Sequence, residues 1–287
     1  MPNAEAGTGQ ETGHDGAYTH GYDSGFTLVQ HAARTAEKQA AFLLPHLRPG
    51  MSLLDCGCGS GSITVGLARA VAPGQTVGVD ISPMEIERAQ AKAASLGITD
   101  VHFLVGSIYA LDFASSSLDV VFSHNVLEHL ADPSRALAEM RRLLKPGGII
   151  AIRDYDIGGV LAHIPERADI PERLLIDWLA LLGKDWQRVS GDPRFARRLP
   201  QVLSTAGFVD LDVSASYDVF AGEAARVMFV DVVAARCRER EFVQRVVDGG
   251  LASREQLEAM HDAWLAVAED PLAWAALSPV EVIAKKV

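Results

Sequence analysis

Asp55, Gly57, Gly59 and Gly61 stand at alternate positions in the run Leu53-Leu54-Asp55-Cys56-Gly57-Cys58-Gly59-Ser60-Gly61-Ser62. An acid followed by three spaced glycines suits a small-molecule site. Glycine lets the backbone turn tightly and approach a ligand with no Cβ in the way. If a helix opens directly after the loop, its first N–H groups can face polar ligand atoms. A second acid, Asp80, lies 23 positions after Gly57, and a carboxylate offers two acceptor oxygens to the hydroxyls of a ribose diol. That interval also fits the G-x-G-x-x-G dinucleotide pattern, whose acid follows about 20 residues on. The third position of that pattern is Ser62 here, a departure. Spacing alone leaves a dinucleotide and another ribose-bearing cofactor both open.

His124, Glu128 and His129 raise the question of a metal. The zinc motifs H-E-x-x-H and H-x-x-E-H place their histidines four apart. Here they are five apart and would point to different faces of a helix, so no metal site is expected. Cys56 and Cys58 alternate with glycines and lack a second Cys or His pair at finger spacing.

The elements that must position these residues can be read from periodicity and punctuation. Met51 to Asp55 predicts a first strand and Ile63 to Val71 a helix. Thr76 to Asp80 predicts a second strand. Ser82-Pro83-Met84-Glu85 then has the form of a capping box with Pro at the first helical position. That helix stops at Leu96-Gly97. Val101 to Val105, Leu118 to Phe122, Ile149 to Ile152, Val209 to Val213 and Pro279 to Lys285 complete seven strands. Helices are expected over Thr27–Leu47, Ser134–Lys145 and Phe195–Ala206, with two helical pieces in 157–190 and two more helices in 222–269. Strands alternating with helices argue a parallel α/β sheet covered on both faces. Ligands then sit at the carboxyl ends of strands where the strand order reverses.

The glycine run resembles the first motif of the class I S-adenosylmethionine (SAM)-dependent methyltransferases. The likeness continues through Val77-Gly78-Val79-Asp80-Ile81-Ser82-Pro83, Leu104-Val105-Gly106-Ser107, the stretch from Leu118 to His129, and Leu144-Lys145-Pro146-Gly147-Gly148-Ile149-Ile150-Ala151. It is nearest to the small-molecule branch typified by ubiquinone and menaquinone biosynthesis methyltransferases. Residues 45 to 155 carry the close resemblance; the rest follows in layout. Five motifs in the right order are far more specific than one.

The resemblance implies an α/β fold with a seven-stranded Rossmann-like sheet, order 3-2-1-4-5-7-6, the last strand antiparallel, and helical cap insertions at about 157–190 and 222–269. It implies SAM as cofactor and S-adenosylhomocysteine as product. The cofactor would be met by Asp55, Gly57, Cys58, Gly59 and Gly61, by Asp80 and Ile81 after the second strand, and by Gly106, Ser107 and Ile108 after the third. His124 and Asn125 would face it after the fourth. Ser107 stands where the family often has an Asp against the adenine. Tyr18 would belong to an N-terminal segment folding over the site. Arg34 would meet the methionine carboxylate, since Arg suits a bidentate carboxylate pair. Methyl transfer from a sulfonium needs little acid–base help unless the acceptor is a weakly acidic hydroxyl or carbon acid. For that role the candidates near the rim are His124, His129, Asp154 and Tyr155, of which His124 and then Asp154 are the catalytic choices. Trp178, Trp186, Phe220, Met228 and Phe229 could line an apolar acceptor pocket, which would make the acceptor a small apolar or aromatic metabolite.

Composition bounds the alternatives. Of 287 residues, 48% are hydrophobic, ample for a core. Residues 1–16 carry almost nothing apolar and are expected to be a disordered tail, leaving 17–287 as a single domain. The formal charge of −11 and the lack of a basic stripe with aromatics argue against a nucleic-acid partner. No apolar run is long enough for a membrane span, no signal-peptide core is present, and three cysteines make no disulfide framework; a reduced cytoplasm is the default. Two readings compete with the methyltransferase: a SAM-binding protein without turnover, and a nicotinamide-dependent oxidoreductase, for which no second nucleotide pocket is evident. The methyl acceptor, the methylated atom and the oligomeric state are not written in the sequence.

Overall fold

The computed structural model describes residues 34–188 and 191–287; Tyr18, the expected tail and the first part of the expected Thr27–Leu47 helix lie outside them. The described residues begin with α1 (Ala36–Gln39), a 3-10 turn at Leu44–His46, β1 (Leu53–Cys56), α2 (Thr64–Val71), β2 (Thr76–Asp80) and α3 (Pro83–Ser95). Next come β3 (Val101–Val105), β4 (Leu118–His124), a 3-10 turn at Leu127–His129, α4 (Pro133–Leu143) and β5 (Leu144–His163). Then follow α5 (Leu174–Arg188), a 3-10 turn at Ala196–Arg198, α6 (Leu199–Thr205), β6 (Phe208–Ala215) and β7 (Asp218–Phe220). Helices α7 (Glu223–Arg238), α8 (Arg240–Asp248) and α9 (Arg254–Glu269) lead into β8 (Trp274–Lys286).

The strands form one sheet in the order β3-β2-β1-β4-β5-β8-β6, with β7 pairing beside β8. Strands β1 to β5 run parallel, and β8 is antiparallel to β5, β6 and β7. The expected order therefore holds once β8 is taken as the expected seventh strand. What differs is the count: Asp218–Phe220 adds an eighth strand too short to show periodicity in sequence. All four residues of β1 are buried, as expected of a central parallel strand covered on both faces. One face packs on α4, α6 and the second 3-10 region through residues such as Leu137, Met140 and Leu199. The other packs on α1 and α2 through Ala36, Leu43 and Leu67.

Other sequence expectations need correction. The described part of the Thr27–Leu47 helix is broken after Gln39 into turns and a 3-10 segment. Strand β5 runs on to His163, so residues 157–163 are sheet, and one helix rather than two occupies the remainder of 157–190. The extension exists because β8 offers it a partner, with Leu161 to His163 pairing against Ala276 to Trp274. Residues 222–269 form three helices, with the break between the first two at Glu239. Helices α5, α7, α8 and α9 share a separate core around Trp178, Val230, Phe242 and Trp264, with the Trp178 and Phe242 rings 5.8 Å apart. The buried carboxylate of Asp185 joins two of them, accepting two 2.9 Å hydrogen bonds from Arg245.

Candidate active site

The strand order reverses between β1 and β4, and there the chain leaves both strands at their carboxyl ends into a cavity of about 270 Å³. Of the residues expected to meet the cofactor, Arg34, Asp55, Gly57, Cys58, Gly59, His124 and Asn125 line it.

Gly57 has φ +76, and a Cβ there would lie 2.3 Å from Val126 Cγ2; the loop after β1 is pressed against the turn after β4. Gly59, φ +50, is different: the nearest atom to a Cβ would be Glu85 Oε2 at 3.8 Å, which leaves its cavity face open. Gly61 does not line the cavity. Its missing Cβ makes room for Ala89 and Phe103, each 2.9 Å from where that atom would stand, so its reason is helix–strand packing.

The two acids of the glycine region do different work. Asp55 is buried, and Thr64 Oγ1, at the start of α2, donates to its Oδ2 at 2.6 Å. Burial pushes its pKa up to about 7, against the lowering effect of that hydrogen bond. Asp80 ties the loop down: Oδ2 accepts from Gly59 N at 2.9 Å and Oδ1 from Ser82 N at 3.0 Å. Burial raises its pKa while these backbone bonds oppose the rise. Asp80 sits behind the glycine loop rather than on the cavity wall, and Ile81, Gly106, Ser107 and Ile108 are likewise outside the lining. Ser107 Oγ accepts from Tyr109 N at 3.4 Å. The Ser82 cap forms, accepting from Glu85 N at 3.4 Å, but Glu85 turns to Arg88 instead of closing the box. Burial pushes the Cys56 and Cys58 thiols up, which removes them as thiolate nucleophiles.

At the β4 end, His124 Nε2 lies 2.9 Å from Arg153 Nη1. A guanidinium only donates, so this ring nitrogen accepts and the neutral imidazole carries its proton on Nδ1. In this geometry Arg153 engages the Nε2 lone pair that a general base would use. Asp154, the other candidate, is fully buried and off the cavity wall. Its Oδ1 accepts from Val126 N at 3.1 Å, so it holds the turn after β4. Burial pushes its pKa up to about 7. Asn125 adopts φ +55, and its Oδ1 is buried without a hydrogen-bond partner among the described residues.

Glu128 was weighed only as a metal ligand, yet it lines the cavity at 2% exposure. Tyr155 also lines it; its hydroxyl donates to Asp218, and burial raises its pKa to about 12. The sequence signal for Glu128 was an acid inside the apolar turn Val126-Leu127-Glu128. The part of the lining that α5 supplies is apolar. Trp178, Trp186 and Phe229 line the cavity as expected, together with Leu175, Leu179 and Leu182. Phe220 instead stacks on Phe229 with ring centroids 5.1 Å apart, and Met228 does not line the cavity.

Known proteins resemble this chain in sequence and in fold. A family model described as a methyltransferase domain matches residues 47–188. The chain is 32% identical to the probable methyltransferase ltbC of Aspergillus luteorubrus, over 92% of this chain and 99% of that protein. It is 35% identical to the ubiquinone biosynthesis O-methyltransferase of Cereibacter sphaeroides, over 56% of this chain and 62% of that protein. Among solved structures, YcgJ of Bacillus subtilis matches with a TM-score of 0.58 at 16% identity, over 88% of this chain and 99% of that one, a likeness of fold. With a methyltransferase relative aligned along nearly its whole length and a methyltransferase family model matching residues 47–188, the chain belongs to the class I S-adenosylmethionine-dependent methyltransferases.

Proposed function

We propose that this enzyme transfers a methyl group to a small, largely apolar or aromatic metabolite bound under α5 and α7. The observation that carries the reading is the division of the cavity. The loops after β1 and β4 supply backbone and polar groups to its lining; α5 and α7 supply Trp178, Trp186, Phe229 and leucines. Small-molecule sites characteristically pair an apolar lining with a few placed polar groups.

The lining from the β1 and β4 loops fits the cofactor. The open face of Gly59 lets the backbone approach a ligand. The buried, partnerless Asn125 Oδ1 is an acceptor suited to the amino group of a methionine moiety, since a buried acceptor without a partner is costly unless a ligand completes it. Arg34 lines the same cavity and can meet a carboxylate. Asp80 supports the loop through Gly59. When bound, SAM supplies an activated methyl group on a sulfonium. The chain's own task is to hold the acceptor in line and exclude water, which the leucines and tryptophans of α5 do by shape. The sequence relation to an enzyme named for O-methylation supports a hydroxyl as the methylated group.

Thermal unfolding with and without S-adenosylhomocysteine, with NAD in parallel, tests the cofactor half. A ligand at a hundred times its Kd stabilises by about 2.7 kcal/mol, a rise of roughly 5–10 °C for a domain of this size. The expected result is a rise with S-adenosylhomocysteine alone. A rise with NAD alone sinks the proposal. The acceptor half is tested by screening hydroxylated aromatic and aliphatic compounds for S-adenosylhomocysteine release; turnover confined to strongly polar acceptors would overturn it.

A further inference from the structure

The cavity lining carries an acid whose position is unusual. Glu128 is 2% exposed, lines the cavity, and its Oε2 has no hydrogen-bond partner among the described residues. Its other oxygen, Oε1, lies 3.4 Å from His129 Nε2. Its backbone is held on both sides: the carbonyl accepts from Asp192 N at 2.9 Å, and the turn that carries it hangs on Asp154 through Val126 N. Asp154 keeps an unpartnered oxygen too. A buried acid left half-satisfied destabilises a fold, and such strain persists where a site uses it.

We propose that Glu128 is the group that receives the acceptor's proton, so that the methylated atom belongs to a weakly acidic hydroxyl, of phenol type, delivered against Glu128 Oε2. This rests on the methyltransferase reading above and names the residue and acceptor group that reading leaves open. In the step, the acceptor's O–H bond breaks and its proton passes to Glu128 Oε2. The oxygen takes the methyl group supplied by the cofactor, whose sulfur keeps the electron pair of the broken S–CH3 bond. Charge balances: an anionic carboxylate and a cationic donor become a neutral acid and a neutral thioether.

The surroundings suit a strong base. Burial raises the Glu128 pKa well above its ordinary value, and the Asp154 charge adds to the rise. Asp156 pushes the same way, while the Tyr155 backbone N–H and Arg34 oppose. His129 lies beside it on the same turn. Of the other acids packed nearby, Asp156 is held by Arg197 and Asp192 by Arg198. A base whose pKa sits near the working pH combines ionised population with proton affinity. Asp154, off the cavity wall, is a positioning residue: it fixes the turn and keeps Glu128 basic.

The test uses the full chain loaded with S-adenosylhomocysteine and two probes, 2-naphthol and its methyl ether, followed by calorimetry across pH. A hydroxyl donates best to an ionised carboxylate. Naphthol affinity should therefore rise about tenfold as Glu128 ionises, at pH values below the phenol's own ionisation at about 10. The ether should bind independently of pH. Glu128→Gln should bind both probes without pH dependence while still gaining thermal stability from S-adenosylhomocysteine. Asp154→Asn, which keeps an acceptor for Val126 N, should move the midpoint of the rise to lower pH. A flat naphthol profile in the native protein, or the same rise in Glu128→Gln, overturns the proposal and leaves the cofactor reading standing. Failure of the native protein to bind S-adenosylhomocysteine overturns the function proposed above and this inference with it. Should Glu128→Gln not fold, the contrast between naphthol and its ether in the native protein decides.

Discussion

The guanidinium of Arg153 is a hub: it donates to His124 Nε2 at 2.9 Å, to both Asp218 oxygens at 2.9 and 3.0 Å, and to Glu281 at 3.1 Å. At 1% exposure it joins β4, β5, β7 and β8. Replacing it with Met strands two carboxylates in a poorly solvated place. Breaking a buried ion pair by removing one partner costs about 3–5 kcal/mol. Arg153→Met should lower the denaturation free energy by that order. In the native protein, nitrogen NMR should find the neutral His124 ring protonated at Nδ1; the opposite tautomer would contradict the hub.

The glycine loop offers a paired test. Gly57→Ala forces a Cβ to within 2.3 Å of Val126 Cγ2 at a positive φ, combining left-handed strain with overpacking, about 2–4 kcal/mol together. Gly59→Ala meets no atom closer than 3.8 Å and should cost only about 1 kcal/mol from its φ. Thermal melts should therefore separate the two, while both lose S-adenosylhomocysteine affinity. Gly59→Ala binding as well as the native protein would remove the loop from the cofactor site.

Stability should fall as pH rises through the mildly acidic range toward neutrality. Asp55 and Asp154 are both pushed up to about 7, by burial first, against about 3.9 in an unfolded chain. Between those values the folded state binds more protons than the unfolded state. Unfolding free energy therefore decreases with pH, by at most about 1.4 kcal/mol per pH unit per group. Asp119 acts oppositely: its hydrogen bonds to Lys145 and Ser52 outweigh burial and hold it low. Glu139 is also held low, by Arg142. Their contribution is lost only in more acid solution. Melts from about pH 5 to about pH 7 should show a declining Tm in the ligand-free protein, and Asp55→Asn a shallower decline. A Tm that climbs over this range would contradict the burial of these acids.

Asp185 is fully buried on α5 and held by Arg245 of α8. Arg245→Met should cost about 3 kcal/mol, and the double change with Asp185→Leu should recover most of it, because an apolar pair replaces a buried ion pair at little cost. Cofactor binding should survive both changes, since neither residue lines the cavity. Urea denaturation of the single and double variants checks the coupling.

The sequence revealed what is local and concealed what is not. The strand–glycine–helix unit around Gly57, the Ser82 helix cap and the Gly97 stop each follow from neighbouring residues, and the structure forms them. The position of Asp80 was legible from spacing; its attachment to Gly59 N was not. Arg153 gave no signal, because its partners Asp218 and Glu281 lie 65 and 128 positions away. The length of β5 was hidden for the same reason: residues 157–163 carry glycines and mixed polarity, and become strand through pairing with β8. Glu128 escaped notice because an acid beside a histidine invites a metal argument. What marks it is the missing partner on Oε2, a property of the assembled cavity.

Strand β8 lies between β5 and β6, though it follows both in chain order, with three helices intervening. During synthesis, β6 therefore emerges with no sheet neighbour and must wait for the ribosome to deliver α7, α8, α9 and then β8. Until that moment the half of the sheet from β3 to β5 can assemble, but β5 keeps an open edge. Closing such a distant pairing is slow, and an unpaired edge is where strands of different molecules join. The nascent chain is thus most vulnerable to aggregation just before its last strand docks.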